Sequence, residues 1–285
     1  MTKVVACIDG SNSTQAVSDY ASWASLKLDA PLEFLHVLDK KAFPKSSDIS
    51  GHIGLGSRES LLKELTELDE KRGKIALQHG HELLESAKSR AISLGVKAPL
   101  SRQRHGDLVS TLYEMENDIR LLVMGRQGAD GDIIRDHVGS NIESVVRIMH
   151  RPILISPTVY KEPHNLMIAY DGSDTAMKGV EMIASSPLFK SIPCHVVMVN
   201  HDNKNVTDQL SWAETTLNDA GFEVIKARLN GEVKKALCDY RDQNQIGMVV
   251  MGAYGHSKIR QFLVGSISTR MIQHTTNVPL LLLLR

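Results

Sequence analysis

Residues 3–11 read KVVACIDGS, and residues 165–173 read NLMIAYDGS. Each is a short apolar run that ends in Asp-Gly-Ser, and the match continues downstream. Asp9 lies 28 positions before Val37, and Asp171 lies 28 positions before Val199. Residues 121–128 (LLVMGRQG) correspond to 248–255 (MVVMGAYG). Residues 139–155 (GSNIESVVRIMHRPILI) correspond to 265–282 (GSISTRMIQHTTNVPLLL) with one residue of slippage. Four blocks repeated in one order indicate a duplicated domain; the period is too long for a solenoid repeat. A chain of 285 residues accommodates two such units, each able to bury a core.

Within each unit, β-rich runs alternate with helical patterns. Strands are expected near 3–9, 31–38, 97–104, 119–124 and 152–156, and again near 165–170, 193–199, 222–228, 246–251 and 278–284. The runs VVACI, LLVM and MVVM are apolar without interruption, as parallel strands covered on both faces require. Segments such as AVSDYASWASLKL and GEVKKALCDYRDQ carry helical spacing. The expectation is an α/β fold of two tandem Rossmann-like domains with right-handed crossovers. The first domain spans 1–157 and the second 163–285, divided where Pro157, Pro163 and a polar run interrupt the pattern. The copies differ mainly after the second strand. Val37 to Gly106 spans 69 positions against 32 from Val199 to Gly231, which places an insertion at about 40–76. The extra residues lie across a Gly/Ser-rich loop at 44–57 and a helical stretch near 58–94, as a surface elaboration, a lid or a partner surface.

Thirty-three basic residues balance thirty-three acidic ones, which argues against a general nucleic-acid-binding surface. No stretch approaches the roughly 20 apolar residues that cross a bilayer, so no membrane insertion is expected. Cys7, Cys194 and Cys238 are few and far apart, which suits a reducing cytoplasm and offers no metal-ligand spacing.

Candidate chemistry lies at the carboxyl ends of the strands, where connections diverge to opposite faces of the sheet. In the second copy Gly252 ends strand four, Gly255 follows, and Gly265-Ser266 opens the next helix, giving G-x2-G-x9-G-S. Glycines let backbone approach a ligand closely, and a helix start offers amides and a positive dipole end to an anion. Ser266 and Ser268 add hydroxyls, and the loop from 253 to 264 carries Lys258 and Arg260 with no acidic residue. The arrangement is a coherent triphosphate cradle.

This pattern, with an Asp ending strand one, resembles the ATP-binding subclass of universal stress proteins, and the resemblance covers nearly the whole chain in two units. It implies a five-stranded parallel sheet of order 3-2-1-4-5 in each domain. It also implies ATP as ligand, with Mg as an open accompaniment. Asp171 would contact the ribose or adenine side and Val199 would offer backbone hydrogen bonds to adenine. Gly252, Gly255, Gly265, Ser266 and Ser268 would hold the phosphates. His256, in the same loop, is the best candidate for a general base, although no catalytic residue is assigned. The family implies pairing through last strands, here 152–156 with 278–284 inside one chain, and leaves open a further homodimer and a regulatory protein partner.

The first copy departs from the pattern. Its spacing is G-x2-G-x10-G-S from Gly125, and its loop from 126 to 138 sets Arg126 and Arg135 against Asp130, Asp132 and Asp136. Net negative charge beside phosphates is repulsive, so ATP is expected in the second domain only. Simpler readings stand beside these. Asp9 and Asp171 could serve turn and helix-start geometry, and Gly255 and Gly265 could make tight turns. His79 and His81 do not share a helix face, and His36 reads as a core or rim residue. The leading function is a nucleotide-responsive regulator of stress survival. The alternatives are a slow ATPase, a protein that phosphorylates itself on Ser266 or Ser268, or a binder of some other small molecule.

Overall fold

The computed structural model describes residues 1–38, 55–126, 140–199, 206–252 and 277–283. In the first half, strands β1 (Lys3–Cys7), β2 (Leu32–Leu38), β3 (Leu100–His105), β4 (Ile119–Gly125) and β5 (Ile153–Ser156) alternate with helices α1 (Thr14–Leu28), α2 (Leu55–Ser93), α3 (Leu108–Met115) and α4 (Ser140–Ile148). In the second, β6 (Leu166–Ala169), β7 (Cys194–Val199), β8 (Val224–Leu229), β9 (Met248–Gly252) and β10 (Leu280–Leu283) alternate with α5 (Asp174–Ser185), α6 (Val206–Asp219) and α7 (Val233–Gln243). Every strand expected from the duplicated pattern has its counterpart, and the central ones, apolar on both faces, are buried where helices cover them.

All ten strands form one sheet in the order β3-β2-β1-β4-β5-β10-β9-β6-β7-β8. Within each half the neighbours are parallel; the seam between halves is antiparallel, with Leu280 opposite Ile155, Leu281 opposite Leu154 and Leu282 opposite Ile153. All six side chains are buried. The apolar cores on the two faces therefore run unbroken from one half to the other. One contains Val4, Phe34 and Leu154 with Ile168 and Val196, and the other contains Val5, Leu122 and Ile153 with Met167 and Val249. Because the seam strands run in opposite directions, the carboxyl ends of β1–β5 and of β6–β10 lie on opposite rims. The outer strands are guarded by cations, Arg102 and Arg104 on β3 and Lys226 and Arg228 on β8, which discourages edge-to-edge pairing.

The segment joining the halves is held against α1. The Tyr20 hydroxyl donates to the Lys161 carbonyl (3.0 Å) and accepts from the Lys161 amide (3.2 Å), while Tyr160 meets the Tyr20 ring edge-on with centroids 4.7 Å apart. Lys27 pairs with Glu162 at the surface.

Helix α2 is 39 residues long, roughly 58 Å at 1.5 Å per residue, whereas its counterpart α6 has 14. Its carboxyl half packs through Gly80, Leu84, Ala87 and Ala91, a 4-3-4 spacing that aligns one face with the sheet and α1. Arg90 near its end donates to the buried Asp19 of α1 (Nη2 to Oδ2, 2.7 Å). Gly80 is glycine because a Cβ there would sit 2.5 Å from the His36 ring and 2.3 Å from the Gln103 amide. His36 is itself buried, with Nδ1 donating to the Ile8 carbonyl at 2.8 Å, the core-or-rim role expected of it. Upstream of Gly80, from residue 63, no side chain of α2 is buried.

The two halves fill one strand position differently. In β2, buried Glu33 accepts from Lys3 (3.0 Å) and Arg102 (2.7 Å). At the matching place in β7, His195 is buried with Nδ1 2.9 Å from the Tyr240 hydroxyl. Burial is the main cause that lowers the His195 pKa, with Glu223 opposing it.

Two predictions follow from this packing. The chain has two tryptophans, Trp23 in the first half and Trp212 in the second. Trp23→Phe and Trp212→Phe each leave a reporter of one half, and their urea transitions should coincide because the core is shared; Leu281→Ala should lower both by about 2–5 kcal/mol. For His195, the folded-state pKa is below the unfolded value of about 6.5, so the unfolded chain binds more protons as pH falls. Stability should thus decline below about pH 6.5, and His195→Gln should flatten that decline in urea titrations across pH.

Candidate functional site

Three sequence-selected residues come together on the carboxyl rim of the second half. The register sets Ala169 opposite both Val197 and Met251. Asp171, two residues past Ala169, is therefore level with Val199 at the end of β7 and one step from Gly252 at the end of β9. Strand β6 lies between β7 and β9, so the three residues stand on three adjacent strand ends of one rim.

The Asp-Gly-Ser turn at this rim is the same in both halves. Asp171 Oδ1 accepts from the Ser173 amide (3.1 Å) and hydroxyl (2.6 Å); Asp9 Oδ1 accepts from the Ser11 amide (3.0 Å). The glycine between takes a positive φ in each, +71° at Gly172 and +81° at Gly10, a conformation that disfavours any side chain. Both aspartates thus have the turn role considered for them. Ser173 then caps α5 by accepting from the Ala176 amide at 3.2 Å.

A residue on the second helix of each half lies against each turn. Gln209 of α6 donates to the Gly172 carbonyl at 3.3 Å, and a Cβ on Gly172 would fall 2.4 Å from its side-chain oxygen. In the first half, His79 Nε2 and Leu83 of α2 take that place, 3.6 and 3.3 Å from a Cβ on Gly10. Neither Gln209 nor this use of His79 was read from the sequence. Both stand on helices with no glycine motif and become neighbours of the turn only through the crossover.

Gly252 differs from these glycines. Its φ is not positive, and a Cβ would meet only Thr175 Cγ2, at the ordinary contact distance of 3.6 Å, among the described residues. Neither backbone conformation nor crowding by the described residues demands glycine there.

Gly255, His256, Gly265, Ser266 and Ser268 lie outside the described residues, as does the first-half loop beyond Arg126. Arg126 itself stands at the end of β4, where burial lowers its pKa and its amide donates to the Ser156 carbonyl. Among the described residues no group of three His, Cys, Asp or Glu side chains could hold a metal ion. None of the described helices is long and apolar enough to cross a membrane.

Comparison with known proteins accords with the duplicated architecture. Residues 1–157 and residues 163–283 each match the universal stress protein family. A universal stress protein of Synechocystis is 31% identical over 285 residues, covering 99% of either chain. Among solved structures, a universal stress protein from Archaeoglobus fulgidus superposes with a TM-score of 0.66 at 19% identity, covering 99% of this chain and 96% of that one. A putative universal stress protein from Pseudomonas aeruginosa gives 0.60 at 14% identity, covering 99% and 93%. The structures support the fold, and the sequence matches over both halves carry the assignment: the chain belongs to the universal stress protein family.

Proposed function

We propose that the second domain binds ATP and that the protein is a nucleotide-responsive regulator of stress survival acting in the cytoplasm. The observation that carries this reading is Gly252. A glycine at the end of β9, required by neither backbone conformation nor described neighbours, leaves room beside Asp171 on the side away from Val199. That room suits a flat base and ribose laid across the strand ends.

Asp171 keeps its turn through Oδ1, so its second carboxylate oxygen is the group that would take a ribose hydroxyl. The backbone at Val199 would read the adenine edge. The segment 252–268, with Gly255, Gly265, Ser266 and Ser268, would wrap the phosphates with amides and hydroxyls, and Lys258 and Arg260 add positive charge. His256 lies within this loop. Magnesium would accompany the phosphates as their counter-ion, with no protein ligand assigned to it.

The first domain is excluded from this role on charge. Residues 126–138 carry a net charge of −1, whereas residues 253–264 carry +2. The test is to denature purified protein, count released nucleotide by mass spectrometry, and titrate ATP by calorimetry. One ATP per chain is expected. Gly265→Asp, which adds a carboxylate where the phosphates would lie, should weaken binding by tenfold or more, on the order of 1.4 kcal/mol or greater. Gly139→Asp, its counterpart in the first domain, should leave ATP affinity unchanged. Two ATP per chain would overturn the single-site reading, and none would overturn nucleotide binding altogether.

A further inference from the structure

The antiparallel seam carries one end of the first domain onto the rim of the second. Leu282 of β10 is paired with Ile153 of β5, so the next residues, Leu283 and Pro152, are level. Leu283 is in turn level with Gly252 at the end of β9. Across the sheet from β7 through β6, β9 and β10 to β5, this rim presents Val199, Asp171, Gly252, Leu283 and Pro152. Arg151, just before Pro152, belongs to the turn between α4 and β5 of the first domain, yet stands on the second domain's rim. Ile153 shares one core with Met167, Ala169, Val199 and Met251. Strand alternation followed back from Ile153 puts Arg151 on that face of the sheet, as it puts Asp171 there two residues past Ala169.

Arg151 is half-buried and makes no hydrogen bond or ion pair among the described residues. The carboxylate near it in the chain's path, Glu116, is taken by the amide and ring of His150. Arg90, Arg102, Arg104 and Arg120 of the same domain, by contrast, are held by Asp19, Glu33, Glu114 and the Leu28 carbonyl. The matching position on the other rim lacks the charge. Leu280 pairs with Ile155, so Pro279 is level with Ser156, and the residue before Pro279 is Val278. Arg151-Pro152 and Val278-Pro279 are equivalent in the repeat. The seam therefore lends a cation to the second rim and an apolar residue to the first.

We propose that Arg151 of the first domain completes the second domain's site by binding the terminal phosphates of a nucleoside triphosphate. Resting on the nucleotide reading above, with the base at Val199 and the ribose at Asp171, this placement runs the phosphates past Gly252 toward β10 and Arg151. Strands β6 and β5 are three strand spacings apart, about 14 Å, a gap that a triphosphate chain and an extended arginine side chain span together. A guanidinium suits that end of the ligand, because its planar fork donates two parallel hydrogen bonds to phosphate oxygens. With no partner of its own to give up, Arg151 binds at no cost in existing ion pairs. The site is then built from both halves, and the second domain alone would lack its cation.

Calorimetric titration of the full chain with ATP, ADP and AMP tests this. Arg151→Ala should weaken ATP binding by about tenfold or more, ADP binding by less and AMP binding not measurably, because only the far phosphates reach the guanidinium. Arg151→Lys should recover part of the loss for ATP, since it keeps the charge without the fork. The circular dichroism and urea midpoint of Arg151→Ala should match those of the wild type, because the side chain holds no other residue in place. The graded loss is decisive, since a merely structural arginine would lower the affinity for all three nucleotides alike. Equal losses for the three, or an ATP affinity unchanged in Arg151→Ala, would overturn the role of Arg151 and leave nucleotide binding standing. A wild type that binds none of the three would overturn both.

Discussion

The structure depends on an antiparallel meeting of two short leucine- and isoleucine-rich strands. Ile153–Ser156 and Leu280–Leu283 are each only four residues long and buried throughout. Neither half could leave its last strand as a free edge at such hydrophobicity without inviting aggregation. Pairing the two last strands removes both exposed edges at once. The edges that remain, β3 and β8, carry arginine and lysine instead. The same meeting determines the polarity of the molecule: with strands of opposite direction at the centre, the two sets of strand ends cannot share a rim.

Much of the fold was legible before any coordinates. Continuous apolar runs, repeated in order and separated by helical spacing, leave little choice but two parallel sheets covered by helices. The pairing of 152–156 with 278–284 came from the family resemblance, not from the residues, and short runs such as LLLL say nothing of their neighbour. What stayed hidden was long-range and polar. The Tyr20 clamp on Lys161 spans 141 positions, and the Gln209 contact with Gly172 spans 37. Such partners are chosen by where the crossovers bring them, not by any local pattern. The insertion was visible as extra length, and the helical stretch expected near 58–94 corresponds to the single helix α2 (Leu55–Ser93).

The candidate site was legible to a different degree. Register explains why Asp171, Val199 and Gly252 fall together: residues that end adjacent parallel strands must share a rim. The role of the aspartates shows the limit of motif reading. Asp-Gly-Ser occurs in both halves with the same turn and the same positive φ, so the motif alone does not distinguish a ligand-binding copy from one that merely turns the chain. The proposed distinction between the copies rests on the glycine loops that follow strand four and on their opposite net charge.

The clamp on the connecting segment has a consequence for how the halves stay together. Two separate chains paired through their last strands would associate in a concentration-dependent equilibrium, since association costs translational freedom. Here the second half is tethered, and the tether is itself pinned by Tyr20 and Tyr160 close to where the second domain begins. Its slack is small, so the effective local concentration of one half around the other is set by geometry, at the millimolar level or above for a short linker. The pairing of the two halves is therefore the same in a cell making a few copies of the protein as in one making many.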